Sequence, residues 1–138
     1  VLVVNEDRKK ISSRVAMEQC VQTSTTFASW VEKAKKDFVL MKEALKEADF
    51  EKIGEITESN ALAMHETTTT SSPSFTFLTE ESHRAMDIVK QLRSQGYKCY
   101  FTMDAGPNVK VLYLKEDQDK LYEEISKLWN KKIILCME

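Results

Sequence analysis

Residues 100–114, YFTMDAGPNVKVLYL, place a single carboxylate, Asp104, between two stretches that alternate like β-strands. A carboxylate held at the end of a strand can orient a hydroxyl group or accept its proton. Gly106 and Pro107 stiffen the turn that follows, because proline fixes its own φ and lacks an N–H group. Aspartate is also among the commonest turn residues, so the residues alone favour a turn-stabilising role over a catalytic one.

A second candidate is the pair Ser13 and Arg14, which stands at the start of a predicted short helix. Free N–H groups and the helix dipole favour an anion at such a position. Arginine adds a forked, permanently charged donor that suits phosphate oxygens. The simpler interpretation is a helix capped by Ser12 or Ser13 with a solvated arginine beside it, and the residues alone favour that interpretation.

The other residues that often carry chemistry form no recognisable site in the sequence. His65 and His83 have no cysteine or carboxylate at metal-ligand spacing and no nucleophile arrangement near them, so both are predicted to be structural. Cys20, Cys99 and Cys136 are three isolated thiols, typical of a reducing compartment, and are predicted to be small buried hydrophobic residues. The sequence has no phosphate loop of the form G-x-x-x-x-G-K-S, so any nucleotide would be held mainly elsewhere.

The elements that must position these residues follow from periodicity and capping. Apolar residues recur at helical steps from Thr26 onward, and Asp49, Thr79 and Asp117 each stand where a further helix would begin. The segment ETTTTSSPSFTF, residues 66–77, predicts a loop between helices. Strands are predicted at VLVV, YKCYFTM, VKVLYL and KIILC. This order predicts an α+β fold, a split βαβ or ferredoxin-like arrangement with inserted helices packed on one face of a four-stranded, mostly antiparallel sheet.

Composition indicates an ordinary globular domain. The 138 residues are 42% hydrophobic and 30% charged, enough for one core of their own. A formal net charge of -2 provides no bulk attraction to nucleic acid or to an anionic membrane, and no apolar run could span a bilayer. We therefore expect a cytoplasmic protein without a nucleic-acid or membrane partner. The first residue is a valine inside a predicted strand, as expected of a piece of a longer chain.

Four segments carry a resemblance to a known family. KISSRVAM, ESNALAMHETT, PSFTFL and YFTMDAGPNVKVL occur in this order. They closely resemble the C-terminal half of the mevalonate diphosphate decarboxylases, which belong to the superfamily of galactokinase, homoserine kinase and mevalonate kinase. The chain departs from that family's pattern at Ala16, where glycine is common, and at SPSF, where a double proline is common. Neither departure replaces a charged group.

The resemblance implies an ATP-dependent decarboxylase that converts mevalonate 5-diphosphate into isopentenyl diphosphate and releases ADP, phosphate and CO₂. It implies that Asp104 is the catalytic residue. The substrate-binding residues that it implies are Ser13, Arg14, Met17, Ala105 and Gly106. It also implies that ATP and Mg²⁺ are bound mainly by an N-terminal domain of the same chain. Residues 1–138 are then expected to be a single C-terminal domain, inactive by itself, and a homodimer is left open.

Two alternatives to a decarboxylase remain open from the residues. The first is a free-standing ferredoxin-like module that binds a small ligand, because such a fold does not imply catalysis. The second is an RNA-binding module, in which Tyr100, Phe101 and Tyr113 would serve as stacking platforms on paired strands. The nearly balanced charge argues against the second alternative.

Overall fold

The computed structural model describes residues 1–5 and 12–136, which form an α+β protein with five α-helices and one two-stranded antiparallel sheet. The described residues divide into two compact units, residues 12–77 and residues 1–5 with 78–136. Predictions that fall on residues 6–11, such as the first residues of KISSRVAM, lie outside the described residues. Within the described ranges, no helix combines the length and the hydropathy needed to cross a bilayer.

Three helices build the unit of residues 12–77. They are α1 (Ser13–Thr23), α2 (Phe27–Glu47) and α3 (Phe50–Thr69). Ser12 caps α1, because its side chain accepts a hydrogen bond from the Val15 N–H at 3.3 Å. Asp49 caps α3 in the same way through the Lys52 N–H at 3.1 Å. Both helix starts were predictable, since these side chains satisfy N–H groups that have no partner within the helix.

A buried polar contact joins α2 to α3. Asp37 lies in α2 and is buried, and its carboxylate accepts hydrogen bonds from Lys33 Nζ at 2.7 and 3.0 Å. Asn60 of α3 donates to the same carboxylate at 2.9 Å. Because a buried carboxylate is costly unless it is hydrogen-bonded, this contact favours one register of the two helices over others.

The predicted loop at residues 66–77 begins too early. The structure continues α3 to Thr69, and the threonine hydroxyls donate back to main-chain carbonyls of the preceding turn. The bonds run from Thr67 to Met64 at 2.6 Å, from Thr68 to His65 at 2.7 Å and from Thr69 to Glu66 at 3.0 Å. Threonine is a weak helix former, but these bonds and the burial of Thr67 and Thr68 outweigh its propensity.

The second unit contains α4 (Glu80–Ser94), β1 (Cys99–Thr102), β2 (Lys110–Tyr113), a 3₁₀ turn (Lys115–Asp117) and α5 (Gln118–Leu128). Thr79 caps α4 in a reciprocal capping box with Ser82. The apolar face predicted for α4 is buried, and Gly96 follows the helix at φ 96°, a conformation that glycine adopts without strain. α4 packs against β1, whose Phe101 is completely buried, so the core of this unit lies between helix and sheet.

The predicted four-stranded sheet is only partly formed in the described residues. β1 and β2 pair antiparallel, with Cys99 opposite Tyr113 and Thr102 opposite Lys110. The predicted first and last strands contribute only isolated antiparallel bridges, from Leu2 to Val109 and from Leu2 to Ile133. The bridge to Val109 does not continue as a ladder, because the N–H groups of Val4 and Asn5 donate to the side chain of Asn108 and not to the main chain of a neighbouring strand.

Candidate functional site

Asp104 is the second residue of the loop that joins β1 to β2, after Met103. Its side chain is 69% exposed, and its Oδ2 lies 3.0 Å from Nζ of Lys110. The Asp104 carbonyl accepts a hydrogen bond from the Gly106 N–H at 2.7 Å, which tightens the turn. Gly106 is buried and Ala105 is half-buried, so the backbone beside the carboxylate is enclosed while the carboxylate itself faces solvent.

The ion pair with Lys110 restrains the Asp104 side chain only weakly. Both side chains are substantially exposed, the lysine by 41%. Ion pairs of this kind contribute only about 0.2–1 kcal/mol, because solvent screens them and two flexible side chains must be ordered. The ion pair with Lys110 therefore holds the carboxylate only weakly.

Two consecutive residues of this loop, Pro107 and Asn108, are anchored by hydrogen bonds. The Ser82 hydroxyl in the first turn of α4 donates to the Pro107 carbonyl at 2.6 Å. Asn108 Oδ1 accepts from the main-chain N–H groups of Val4 at 2.8 Å and Asn5 at 3.0 Å. Ser82, Asn108 and Lys110 were missed in the sequence. A T-x-x-S capping pattern indicates Ser82, whereas no local pattern indicates the other two.

Ser13, Arg14 and Met17 lie on α1, in the other unit. Ser13 is the first helical residue and is exposed, so Ser12 rather than Ser13 provides the cap. The Arg14 side chain is 89% exposed and its Nε lies 3.4 Å from Oε1 of Glu18. Met17 is half-buried. The structure thus brings Asp104, Ala105 and Gly106 together in one unit, and it places Ser13, Arg14 and Met17 close together along α1 in the unit of residues 12–77.

The histidines and cysteines differ in how deeply they are buried. His65 is buried and its ring meets that of Phe77 edge-on at 6.4 Å, whereas His83 is exposed. Cys20 and Cys99 are buried as predicted, but the prediction is wrong for Cys136, which is exposed because it lies in an extended segment near the end of the described chain. In residues 1–5 and 12–136, no three His, Cys, Asp or Glu residues cluster in a way that could hold a metal ion.

The stacking platforms of the RNA-binding alternative are not available. Tyr100 is buried and Phe101 is completely buried. The guanidinium of Arg93 lies 4.7 Å from the centre of the Tyr100 ring, and Lys90 Nζ lies 5.9 Å from that of Phe101. Bases can stack only on exposed ring faces, so this alternative is wrong for these two residues.

Two solved structures of known proteins are similar to this chain in both fold and sequence. The chain is 53% identical to the mevalonate pyrophosphate decarboxylase from Streptococcus pyogenes, with a TM-score of 0.89, over 94% of this chain and 41% of that chain. It is 42% identical, also with a TM-score of 0.89, to MDDEF in complex with MVAPP, AMPPCP and magnesium, over 94% of this chain and 40% of that chain.

The sequence comparisons agree with the structural ones. The diphosphomevalonate decarboxylase of Candida albicans is 32% identical over 122 residues, which cover 88% of this chain and 34% of that protein. The chain thus spans about a third of the length of this relative. The model of the mevalonate 5-diphosphate decarboxylase C-terminal domain matches residues 1–135. Because the match covers almost the whole chain, including the Asp104 loop, the chain belongs to the family of mevalonate 5-diphosphate decarboxylase C-terminal domains.

Proposed function

We propose that this chain is the C-terminal part of an ATP-dependent decarboxylase that converts mevalonate 5-diphosphate into isopentenyl diphosphate, a step of isoprenoid biosynthesis. The observation that carries the proposal is the family match over residues 1–135. The relatives from Streptococcus pyogenes and Candida albicans, whose names describe this decarboxylase, support it. The exposed carboxylate on an anchored loop gives the chain a group that can act on a hydroxyl.

Asp104 acts on the tertiary hydroxyl of the substrate in this proposal. An alcohol is a far weaker acid than an ordinary aspartic acid, and the difference of about 12 pKa units corresponds to ~16 kcal/mol. That energy equals the whole barrier of an enzyme that turns over about ten times per second. Complete deprotonation before phosphoryl transfer is therefore too costly. Asp104 instead orients the hydroxyl and accepts its proton late, as a loose phosphoryl-transfer transition state allows.

The remaining residues of the proposed site bind substrate. Ser13 and Arg14 bind the diphosphate, since a helix start and a guanidinium both favour phosphate oxygens. Met17, Ala105 and Gly106 contact the substrate. Phosphorylation converts the hydroxyl into a leaving group, and loss of that phosphate and of CO₂ forms the double bond of the product.

ATP and Mg²⁺ are the proposed cofactors, supported by the MDDEF complex with AMPPCP and magnesium. Among the described residues, no three His, Cys, Asp or Glu side chains form a cluster that could hold a metal ion by themselves. As the family resemblance implies, we assign the binding of ATP and Mg²⁺ mainly to an N-terminal domain of the same chain. Residues 1–138 by themselves are not expected to turn over.

The proposal also concerns three further features: the sheet, the cellular location and the oligomeric state. The bridges of Leu2 to Val109 and Ile133 support a four-stranded, ferredoxin-like sheet in which the first segment lies between β2 and the last segment. The second feature is a cytoplasmic location, which rests on the sequence, and the third is a homodimer, which stays open.

The test is Asp104→Asn in the longer enzyme that contains this domain. The amide keeps the size of the side chain but cannot accept the proton, so we expect kcat to fall by about 10²–10⁴-fold. Binding of ATP and of mevalonate 5-diphosphate, measured by calorimetry, should change little. CO₂ release and ADP formation are measured in parallel. Near-normal turnover with intact binding would refute the role of Asp104, and a wild-type enzyme that releases no CO₂ would refute the proposed reaction.

A further inference from the structure

The Asp104 loop is attached on its α4 side by one buried hydroxyl. Ser82 is 0% exposed and lies in the first turn of α4. Its oxygen accepts the Thr79 N–H at 3.0 Å, while its proton goes to the Pro107 carbonyl at 2.6 Å. The directions of both bonds are fixed, because an N–H group can only donate and a carbonyl can only accept.

The choice of serine at this position goes beyond helix capping. A capping box usually has glutamate or glutamine as its third helical residue, and either would satisfy the Thr79 N–H. Glutamate has no proton to donate at neutral pH, so of these two only the longer glutamine could also donate to the Pro107 carbonyl. Serine performs both tasks, and it thereby connects the helix start to a loop 25 residues away in the chain.

The next residue of the loop, Asn108, is attached to the first segment of the chain. Its Oδ1 accepts two main-chain N–H groups, from Val4 at 2.8 Å and from Asn5 at 3.0 Å. Only the oxygen takes part in these two bonds, so aspartate could reproduce them and leucine could not. The loop that carries Asp104 is therefore held at two consecutive residues, Pro107 and Asn108, by two different parts of the unit.

We propose that Ser82 and Asn108 are positioning residues that set the place of the Asp104 carboxylate, an inference that rests on the proposed function of Asp104. Neither residue needs to touch the substrate. A misplacement of a reacting group by about 1 Å can cost on the order of 10²-fold in rate. Loss of either anchor should therefore lower kcat much more than it weakens the binding of ATP.

Ser82→Ala and Asn108→Leu in the full-length enzyme are the main variants. We expect each to lower kcat by about 10–100-fold, with a KM for ATP within about threefold of wild type. Thr79→Ala is the matched control for Ser82, because it removes the other half of the same capping box and leaves the bond to Pro107 in place. It should reduce the melting temperature by a similar amount while kcat stays within about threefold of wild type.

Asn108→Asp is the conservative rescue, since it keeps an oxygen that accepts both N–H groups. We expect it to recover most of the kcat that Asn108→Leu loses, and it tests the proposal even if Asn108→Leu does not fold. The proposal is overturned if Asn108→Asp is as slow as Asn108→Leu, or if Thr79→Ala loses as much kcat as Ser82→Ala at equal loss of stability.

Asp104→Asn, assayed in the same series, separates this inference from the proposed function. If Asp104→Asn is inactive and Ser82→Ala retains full kcat, only the positioning role of Ser82 is wrong. If Asp104→Asn retains wild-type turnover, both the role of Asp104 and the positioning inference are wrong.

Discussion

The Arg14 side chain is 89% exposed, and its described ion pair is the long contact to Glu18 within its own helix. A guanidinium in this state is well hydrated and can form a bidentate contact with a phosphate. We therefore propose that Arg14 has a binding role rather than a structural one, and its replacement should leave the fold intact.

Arg14→Lys in the longer enzyme keeps the charge but loses the forked donor. We expect the apparent affinity for mevalonate 5-diphosphate to fall by about tenfold, the equivalent of about 1.4 kcal/mol. Titration calorimetry measures it, with the affinity for ATP as the internal reference. Glu18→Gln is the control, since it removes the intrahelical partner and should not weaken substrate binding. An unchanged affinity in Arg14→Lys would remove Arg14 from the site.

The residues of the site differ in how far the sequence could reveal them. Asp104 stands out because the segment around it has an unusual composition and a family resemblance. Ser82 and Asn108 could not be found in this way, since their partners are backbone groups 25 and more than 100 positions away. Backbone groups leave no trace in side-chain identity, so contacts of this type become visible only when the chain is folded.

At the scale of elements, a buried polar contact joins the helices α2 and α3 of the hairpin. Asn60 donates to the buried Asp37 carboxylate at 2.9 Å, and Lys33 supplies the compensating charge from within α2. Loss of the Asn60 amide would leave a buried carboxylate with fewer donors. Such a change costs more than the hydrogen bond itself contributes, because the acceptor remains desolvated.

Asn60→Leu should accordingly lower the free energy of unfolding by about 1–3 kcal/mol. Urea denaturation followed by circular dichroism measures the change. Glu55→Ala, on the exposed side of α3, is the control and should stay within about 0.5 kcal/mol of wild type. If Asn60→Leu were no more destabilising than Glu55→Ala, the contact with Asp37 would have no part in holding the hairpin.

The elements were predictable to the extent that local chemistry determines them. Ser12, Asp49 and Thr79 each begin a helix through a side-chain bond that lies within three residues. The end of α3 and the extent of the sheet were not predictable. The first depends on the burial of Thr67 and Thr68, and the second on an asparagine that takes main-chain N–H groups from another segment.

At the scale of the molecule, the unit that carries Asp104 is assembled from segments at opposite ends of the described chain. Residues 1–5 belong to it together with residues 78–136, whereas residues 12–77 form a unit of their own. The long helical insertion therefore separates in sequence two segments that form a bridge, at Leu2 and Val109. Its length does not weaken the pairing greatly, because the entropy of closing a loop grows only with the logarithm of its length.

Leu2 forms a bridge both to Val109 and to Ile133, and so it joins the two ends of this unit. Amide hydrogen exchange can test whether the two bridges open together. The Leu2 and Val109 N–H groups bond each other's carbonyls, while Val3 and Ile134 donate to Lys132 and Val1 across the second bridge. Because a single buried residue belongs to both bridges, displacement of its segment would release all four amides in one opening event. We expect these four amides to share one opening free energy, whereas distinct values would show that the two bridges open separately.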